Sequence, residues 1–348
     1  MSERIVVTGG AGYIGAHVCV ELLDAGQSVL VIDDLSNSSE VAIDRVRTIT
    51  GKPDEITFAK INLADPASRM TAIQAIIDYK PTGAIHLAGL KAVGESVAEP
   101  VRYYDTNIAA TVTLIKALEA AGAKSLVFSS SATVYGDATK SPVDETGQLS
   151  PTNPYGRTKY FIECILNDLG NTNQGWRICN LRYFNPVGAH PTGQIGEDPQ
   201  GHPNNLFPFI AQVAVGRRDR LSVFGDNYPT PDGTGVRDYI HVVDLARGHV
   251  AALSYLARPE GEGCRAINLG AGKGYSVFEA VKAFEVASEK SIPVEVVDRR
   301  AGDIAEIYAN ATLAKELLGW HTEKDLAEMC ADHWRWQRNN PNGYATPA

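Results

Sequence analysis

Apolar residues fall along this chain in two rhythms. From residue 4 to about residue 183, short apolar runs rich in Val and Ile alternate with longer stretches in which apolar positions recur every three or four residues. Residues 5–8, 28–33, 56–60, 84–87, 125–129 and 176–182 read as strands, and 97–122 and 153–170 as long helices, the second opened by the stop-and-start signal Ser150-Pro-Thr-Asn-Pro154. Strand and helix in alternation predict an α/β fold built on a doubly wound parallel sheet. After Asn185 the texture changes. Pro- and Gly-rich segments at 186–203 and 228–235 are interspersed with shorter helical patterns near 206–216, 242–256, 313–319 and 325–338. This predicts a smaller α/β region of different purpose, interleaved with the first, so that 1–185 and 186–348 form the two parts. No internal repeat or low-complexity tract is evident in the sequence.

The first strand runs straight into Thr8-Gly-Gly-Ala-Gly-Tyr-Ile-Gly15. Gly9, Gly12 and Gly15 are spaced so that missing Cβ atoms permit a tight turn, close approach of backbone N–H groups to a pyrophosphate, and close packing of helix on strand. The helix entered at Tyr13 aims its positive end at the anion. A glycine motif alone is weak, and a second strand ending in an acid about 20 residues on is the required companion. Residues 28–33 supply it. Asp33, followed by Asp34, is placed to accept from an adenosine ribose hydroxyl and to repel a 2′-phosphate, which predicts a Rossmann-type site for NAD rather than NADP.

Composition narrows the partners. With 348 residues, 44% hydrophobic and 21% charged, the chain is an ordinary globular one, and its net charge of −9 excludes nucleic acid and anionic membrane as general partners. A small anion needs only a few local arginines. The cluster Arg217-Arg218-Asp219-Arg220 reads as a solvated helix end. Cys19, Cys164, Cys179, Cys264 and Cys330 are odd in number and form no C-x-x-C pair, which suits reduced thiols and predicts neither disulfides nor a metal. No apolar run reaches membrane length, and no secretory leader is expected ahead of the first strand, so a cytoplasmic protein is expected.

Candidate chemistry lies at Tyr155-Gly-Arg-Thr-Lys159, where phenol and ammonium share one helix face. The spacing gains meaning from Ser129-Ser-Ser131-Ala-Thr133, a hydroxyl cluster ending the fifth strand, where open α/β sheets bind their ligands. A tyrosine acting as base at neutral pH must fall from a pKa near ~10 by roughly 3 units, about 4 kcal/mol of differential stabilisation. Lys159 and a positively charged nicotinamide are cations in the right place. Tyr155 is therefore the expected acid/base on a sugar hydroxyl, with Ser131 on the same oxygen.

Together the glycine turn, the serine cluster and Tyr155-x-x-x-Lys159 resemble the extended short-chain dehydrogenase/reductase family. The longer phrases Ala88-Gly-Leu-Lys-Ala-Val-Gly-Glu-Ser96, Ser129-Ser-Ser-Ala-Thr-Val-Tyr-Gly136, Leu181-Arg-Tyr-Phe-Asn-Pro-Val-Gly-Ala-His190 and Gly233-Thr-Gly-Val-Arg-Asp-Tyr-Ile-His241 are similar to its UDP-galactose 4-epimerase branch, through nearly the whole chain. The resemblance implies a UDP-hexose 4-epimerase that keeps NAD bound, passes hydride to it, turns a 4-keto sugar in the site and returns hydride to the opposite face.

Position by position, the resemblance implies Ser131 and Tyr155 on the reacting hydroxyl and Lys159 as ribose anchor and pKa modifier. Cofactor positions are Gly9, Gly12, Tyr13, Ile14 and Gly15, then Asp33, Asp34, Leu35, Ser36, Asn37 and Ser38, then Asn62, Leu63, Leu87, Ala88, Gly89, Lys91, Thr106 and Phe184. Substrate positions are Asn185, Asn205, Leu206, Phe224, Arg237, Arg300, Asp303 and Ile307. Arg237 and Arg300 suit a diphosphate, and Phe224 offers a wall to uracil. Three positions depart from the family pattern. Asn62 stands where an adenine-binding Asp is common, its amide oxygen still an acceptor; Leu87 replaces an aromatic; and Thr106 replaces an Asn of one branch. Ile307 aligns with the position whose bulk limits room beside the sugar's C2 substituent. A two-fold homodimer on the two long helices is also implied. The nearest rival is a relative on the same scaffold, a nucleotide-sugar 4,6-dehydratase or a uronic-acid epimerase; the dehydratase places Asp-Glu after the hydroxyl matched by Ser131, where this chain has Ala132-Thr133. A non-catalytic NAD sensor would have no use for Tyr155, Lys159 and Ser131 together.

Overall fold

The computed structural model describes residues 3–137, 140–172, 174–201, 203–300 and 303–345. Its first part runs β1 (Arg4–Thr8), α1 (Tyr13–Asp24), β2 (Ser28–Asp33), α2 (Glu40–Thr50), β3 (Ile56–Lys60), α3 (Arg69–Tyr79), β4 (Gly83–His86), α4 (Val93–Ala98), α5 (Pro100–Ala121), β5 (Ser125–Ser129), α6 (Pro154–Gly170) and β6 (Arg177–Tyr183). Then follow β7 (Asn185–Val187), α7 (Leu206–Ala214), β8 (Leu221–Phe224), β9 (Val236–His241), α8 (Val242–Leu256), β10 (Gly263–Leu269), β11 (Gly274–Ser276), α9 (Val277–Ser288), β12 (Val294–Val297), β13 (Glu306–Ile307), α10 (Thr312–Leu318) and α11 (Leu326–Asn339).

Seven strands form one parallel sheet in the order β10-β6-β5-β4-β1-β2-β3. Successive strand residues point to opposite faces, and the core divides accordingly. Val7, Val29, Val31, Ile85, Val127 and Leu181 pack with α1, α2 and α8 on one face. Val6, Leu30, Ile32, Ala84, Leu126 and Ile178 pack with α3, α5 and α6 on the other. Both faces are covered, which is why these strands read as unbroken apolar runs. The chain reverses its winding between β1 and β4, and that switch point opens a crevice at the carboxyl ends of the strands.

Three features were not read from the pattern. The helix expected over 97–122 is two helices, α4 and α5, because Pro100 opens the second and forces Glu99 out of helical geometry, at φ −126° and ψ 58°. The seventh strand, β10, comes from the second half of the chain and pairs residue for residue with β6. Its Gly263-Cys-Arg-Ala start is too polar for a buried-strand reading, since β10 lies at the edge of the sheet. Helix α9 (Val277–Ser288) packs Ala280, Val281 and Phe284 with α7, β8 and α11 in a separate apolar cluster that supports the smaller sheets β7/β9/β11/β13 and β8/β12. No helix among the described residues is long and apolar enough to cross a membrane.

Candidate active site

The glycine turn is as tight as its spacing predicts. Gly9 sits at φ +71°, and a Cβ there would lie 2.7 Å from the backbone nitrogen of Ala88, so the turn is pressed against the loop leaving β4. A Cβ on Gly15 would lie 2.2 Å from the Gly9 carbonyl oxygen. Gly12 precedes α1 with no side-chain cap, which leaves the first-turn amides at Tyr13 and Ile14 for an anion. Tyr13 itself donates to the Gly188 carbonyl at 2.8 Å, tying the turn to β7.

Asp33 is buried and braces the cradle. It accepts from the Ala11 N–H (3.1 Å), the Leu35 N–H (2.9 Å) and the Ser38 hydroxyl (2.8 Å). Burial raises its pKa, and those three bonds oppose the rise. Leu35 adopts φ +61°, Asp34 accepts from the Ser36 N–H, and Asn37 is exposed. The Asn62 oxygen, expected to be available to adenine, accepts from the N–H groups of Ala64 (2.9 Å) and Asp65 (3.3 Å), above buried Leu63. Gly89, at φ +154°, follows Leu87 and Ala88 and leans on Asn107. Asn107 was not anticipated, its neighbour Thr106 being the reading made from sequence. Its amide bonds the Leu90 N–H and carbonyl and the Thr158 hydroxyl, fixing the β4 loop to α6. Lys91 pairs with buried Glu197 at 3.1 Å, and the same Glu197 oxygen accepts from Asn205 at 3.0 Å.

The three serines after β5 divide their work. The Ser129 hydroxyl meets His249 Nε2 at 2.8 Å, and the Ser130 hydroxyl donates to Glu163 at 2.5 Å. Ser131 accepts from the Thr133 N–H (3.2 Å) and hydroxyl (3.0 Å) and stands close enough to the Tyr155 phenol to act on its pKa. Only Ser131 is directed at the tyrosine. Asn153 caps α6 through the Gly156 N–H and sets where Tyr155 falls. Burial raises the Tyr155 phenol above its ordinary range, and the Ser131 hydroxyl opposes this. The lowering expected from Lys159 does not dominate in the protein alone. The ammonium is turned to the Ser129 carbonyl (2.7 Å) and lies 5.9 Å from the Tyr155 ring centre. Burial pushes Lys159 down to about 8, with the Glu163 carboxylate opposing. Glu163 also grips Arg182 through both oxygens, the shortest contact being 2.6 Å.

Residues expected at the substrate end also gather. Asp303 lies between Arg237 (3.6 Å) and Arg300 (3.0 Å), and the Arg300 guanidinium stands 4.4 Å over the Phe224 ring. Ile307 pairs in register with Arg237 and shares an apolar cluster with Phe184 and Ala132, next to Ser131. Asp238, pushed up to about 6 by burial, accepts from the N–H groups of Ala271, Gly272 and Ala309 and so holds β13 in place. Asn185 and Asn205 are exposed at the starts of β7 and α7, and Leu206 is half-buried. Asn107, Glu163, Arg182, Glu197 and Asp238 escaped the sequence reading. The available signal was a charge inside an apolar strand, as in Leu181-Arg182-Tyr183 and Arg237-Asp238-Tyr239. Among the described residues no cluster could hold a metal ion.

Fold and site together define a dinucleotide-binding α/β enzyme with a tyrosine–lysine–serine centre. Residues 5–270 match the model of the NAD dependent epimerase/dehydratase family, and the chain belongs to that family. It is 55% identical over 340 residues to the UDP-glucose 4-epimerase of Bacillus subtilis, covering 98% of each chain. It is 51% identical to the human UDP-glucose 4-epimerase over the whole of both chains. The crystal structure of the UDP-glucose 4-epimerase from Bifidobacterium longum in complex with NAD+ and UDP superposes with a TM-score of 0.92 at 48% identity, over 98% of this chain and 99% of that one. The glycine cradle, the uncapped α1 terminus and Asp33 fit NAD. Asp33→Asn keeps the shape of the brace but removes its charge. It is expected to weaken NAD binding at least about tenfold and to narrow the discrimination against NADP, as checked by calorimetric titration of both nucleotides.

Proposed function

We propose that this protein interconverts UDP-glucose and UDP-galactose by inverting C4 of the hexose, with NAD as its resident cofactor. The observation that carries the reading is the convergence of Ser131, Tyr155 and Lys159 at the carboxyl end of β5, two strands along the same sheet edge from the glycine cradle after β1, joined through Ile307 to the Arg237–Asp303–Arg300 cluster. Bound NAD supplies a reversible hydride acceptor, which inversion through a 4-keto sugar and return of hydride to its opposite face requires.

The chain's residues do the remainder. Tyr155 takes the proton of the C4 hydroxyl and gives it back, and Ser131 bonds the same oxygen. Lys159 fixes positive charge one helical turn from the phenol. Arg237 and Arg300 take the diphosphate, while Phe224, Asn185, Asn205 and Leu206 line the nucleotide end. Residues 1–185 chiefly hold NAD and 186–348 the UDP-sugar, α8 and β10 returning to the first sheet. Ala132 and Thr133 offer no carboxyl pair for eliminating water, which disfavours a 4,6-dehydratase. The enzyme belongs in the cytoplasm, in keeping with free thiols at all five cysteines. It forms a two-fold dimer on α5 and α6, supported by exposed Val101 and Phe161 on these helices and by Val97 on the adjoining α4.

Incubated with UDP-galactose and no added NAD, the protein is expected to form UDP-glucose in a coupled dehydrogenase assay; no turnover even with NAD supplied would overturn the reading. Tyr155→Phe should lower kcat by roughly 10²–10⁴ with the bound nucleotide unchanged by absorbance. Ile307 is β-branched and held in its cluster, so it cannot swing aside for an N-acetyl group at C2. Wild type should therefore favour UDP-galactose over UDP-N-acetylgalactosamine in kcat/KM, and Ile307→Ser should raise the value for the acetylated sugar. Sedimentation equilibrium at micromolar concentration should return twice the 37.4 kDa chain mass.

A further inference from the structure

We propose that Glu163 is a positioning residue for the reaction, a single carboxylate that fixes the serine turn through Ser130 and supplies the counter-charge to Lys159. The inference rests on the epimerase reading for its kinetic consequences and on geometry for its existence. Tyr155, Lys159 and Glu163 recur at every fourth residue of α6, so they stand on one helix face. Each engages a different residue of the serine turn: Tyr155 meets Ser131, Lys159 donates to the Ser129 carbonyl at 2.7 Å, and Glu163 accepts from Ser130 at 2.5 Å. All three side chains are buried. Ser131 can keep its aim at the phenol only while residues 129 and 130 stay where Lys159 and Glu163 hold them.

The charges support a role beyond filling space. Lys159 faces Tyr155 and Glu163 on its own helix, His86 from β4 and the Phe128 ring from β5, and the carboxylate acting on it is Glu163. Burial holds His86 near 3, so it is neutral when the enzyme works. Glu163 in turn faces Arg182 from β6, Cys264 from β10, and Tyr160 and Lys159 on α6. One carboxylate therefore stands among two buried cations. Arg182 passes the restraint on to the Tyr135 hydroxyl and the Glu145 carbonyl, away from the reacting atoms. An ion pair needed only for packing would not require the Ser130 contact.

Three variants test this, with wild-type epimerase activity measured first so that loss of the functional reading is seen separately. Lysine carrying a carbon-13 label at Cε lets NMR follow the Lys159 proton without turnover. Glu163→Gln removes the charge and keeps the shape. Its Lys159 titration and the alkaline limb of kcat should both move to lower pH by about one unit, with KM for the UDP-sugar unchanged. Glu163→Asp keeps the charge and should leave the titration at its wild-type position. Ser130→Ala keeps the Glu163–Arg182 pair, and so stands whether or not Glu163→Gln folds; it should lower kcat about tenfold with the pH profile and KM for the UDP-sugar unaltered. Wild-type kcat in Ser130→Ala, or a folded Glu163→Gln with an unmoved Lys159 titration, overturns the proposal.

Discussion

The site hangs on the contact between one face of α6 and the carboxyl end of β5. Tyr155 and Lys159 are useful only if they meet the residues that follow the strand, and those meetings are buried, where a hydrogen bond is stronger and a missing one costs more. The helix is therefore held from several sides. Asn153 and Pro154 fix its first turn, Thr158 is bonded to Asn107 on α5, and Glu163 is gripped by Arg182 on β6. Sliding α6 against the sheet would break all of these at once. The glycine turn is a second constraint of the same kind: the Gly15 position has no room for a methyl group beside the Gly9 carbonyl, so turn and helix meet at one spacing only.

Burial also sets the proton chemistry, and it acts on the two key groups in opposite senses. It raises the Tyr155 phenol and lowers the Lys159 ammonium to about 8. Burial by itself therefore favours the protonated phenol, and the phenolate that the proposed proton transfer needs depends on positive charge nearby, from Lys159 and from the nicotinamide that bound NAD would supply. Neighbouring imidazoles are taken out of the charge balance, since His86 is lowered to about 3 and His249 to about 4, each spent on hydrogen bonds to hydroxyls or a carbonyl. The proposed acid/base centre is thus a phenol with one hydroxyl beside it, Ser131, and one lysine tied to the turn.

At the other end of the site the problem is reversed, because two arginines must stay close without an anion between them. Asp303 solves it by pairing with both Arg237 and Arg300 in a partly exposed setting. The halves of the site are joined by short polar ties. Tyr13 bonds Gly188, while Lys91 and Asn205 meet on Glu197, so the cofactor-side loop and the start of α7 share one carboxylate. These ties make the interleaving of the two chain regions mechanical as well as topological.

Much of this architecture was legible in the sequence. Unbroken apolar runs gave six strands of the sheet because both of its faces are covered, and the glycine turn, Asp33 at its strand end and Tyr155-x-x-x-Lys159 on one helix face could be placed because each depends on neighbours within a few residues or on one strand-turn-helix unit. What remained hidden was set by distance along the chain. Ser131 could be named beforehand, but that the Ser129 and Ser130 hydroxyls are claimed by His249 and Glu163, 120 and 33 positions away, is decided by packing alone. The edge strand β10 is too polar to declare itself and exists because β6 offers it a partner. That the Asn62 oxygen, matched to an adenine position, also accepts from two N–H groups of its own loop was visible only in the structure. Local rules of backbone shape and burial can be read from residue types in order; the pairing of buried polar groups cannot, since it depends on which distant segments the packed sheet brings together.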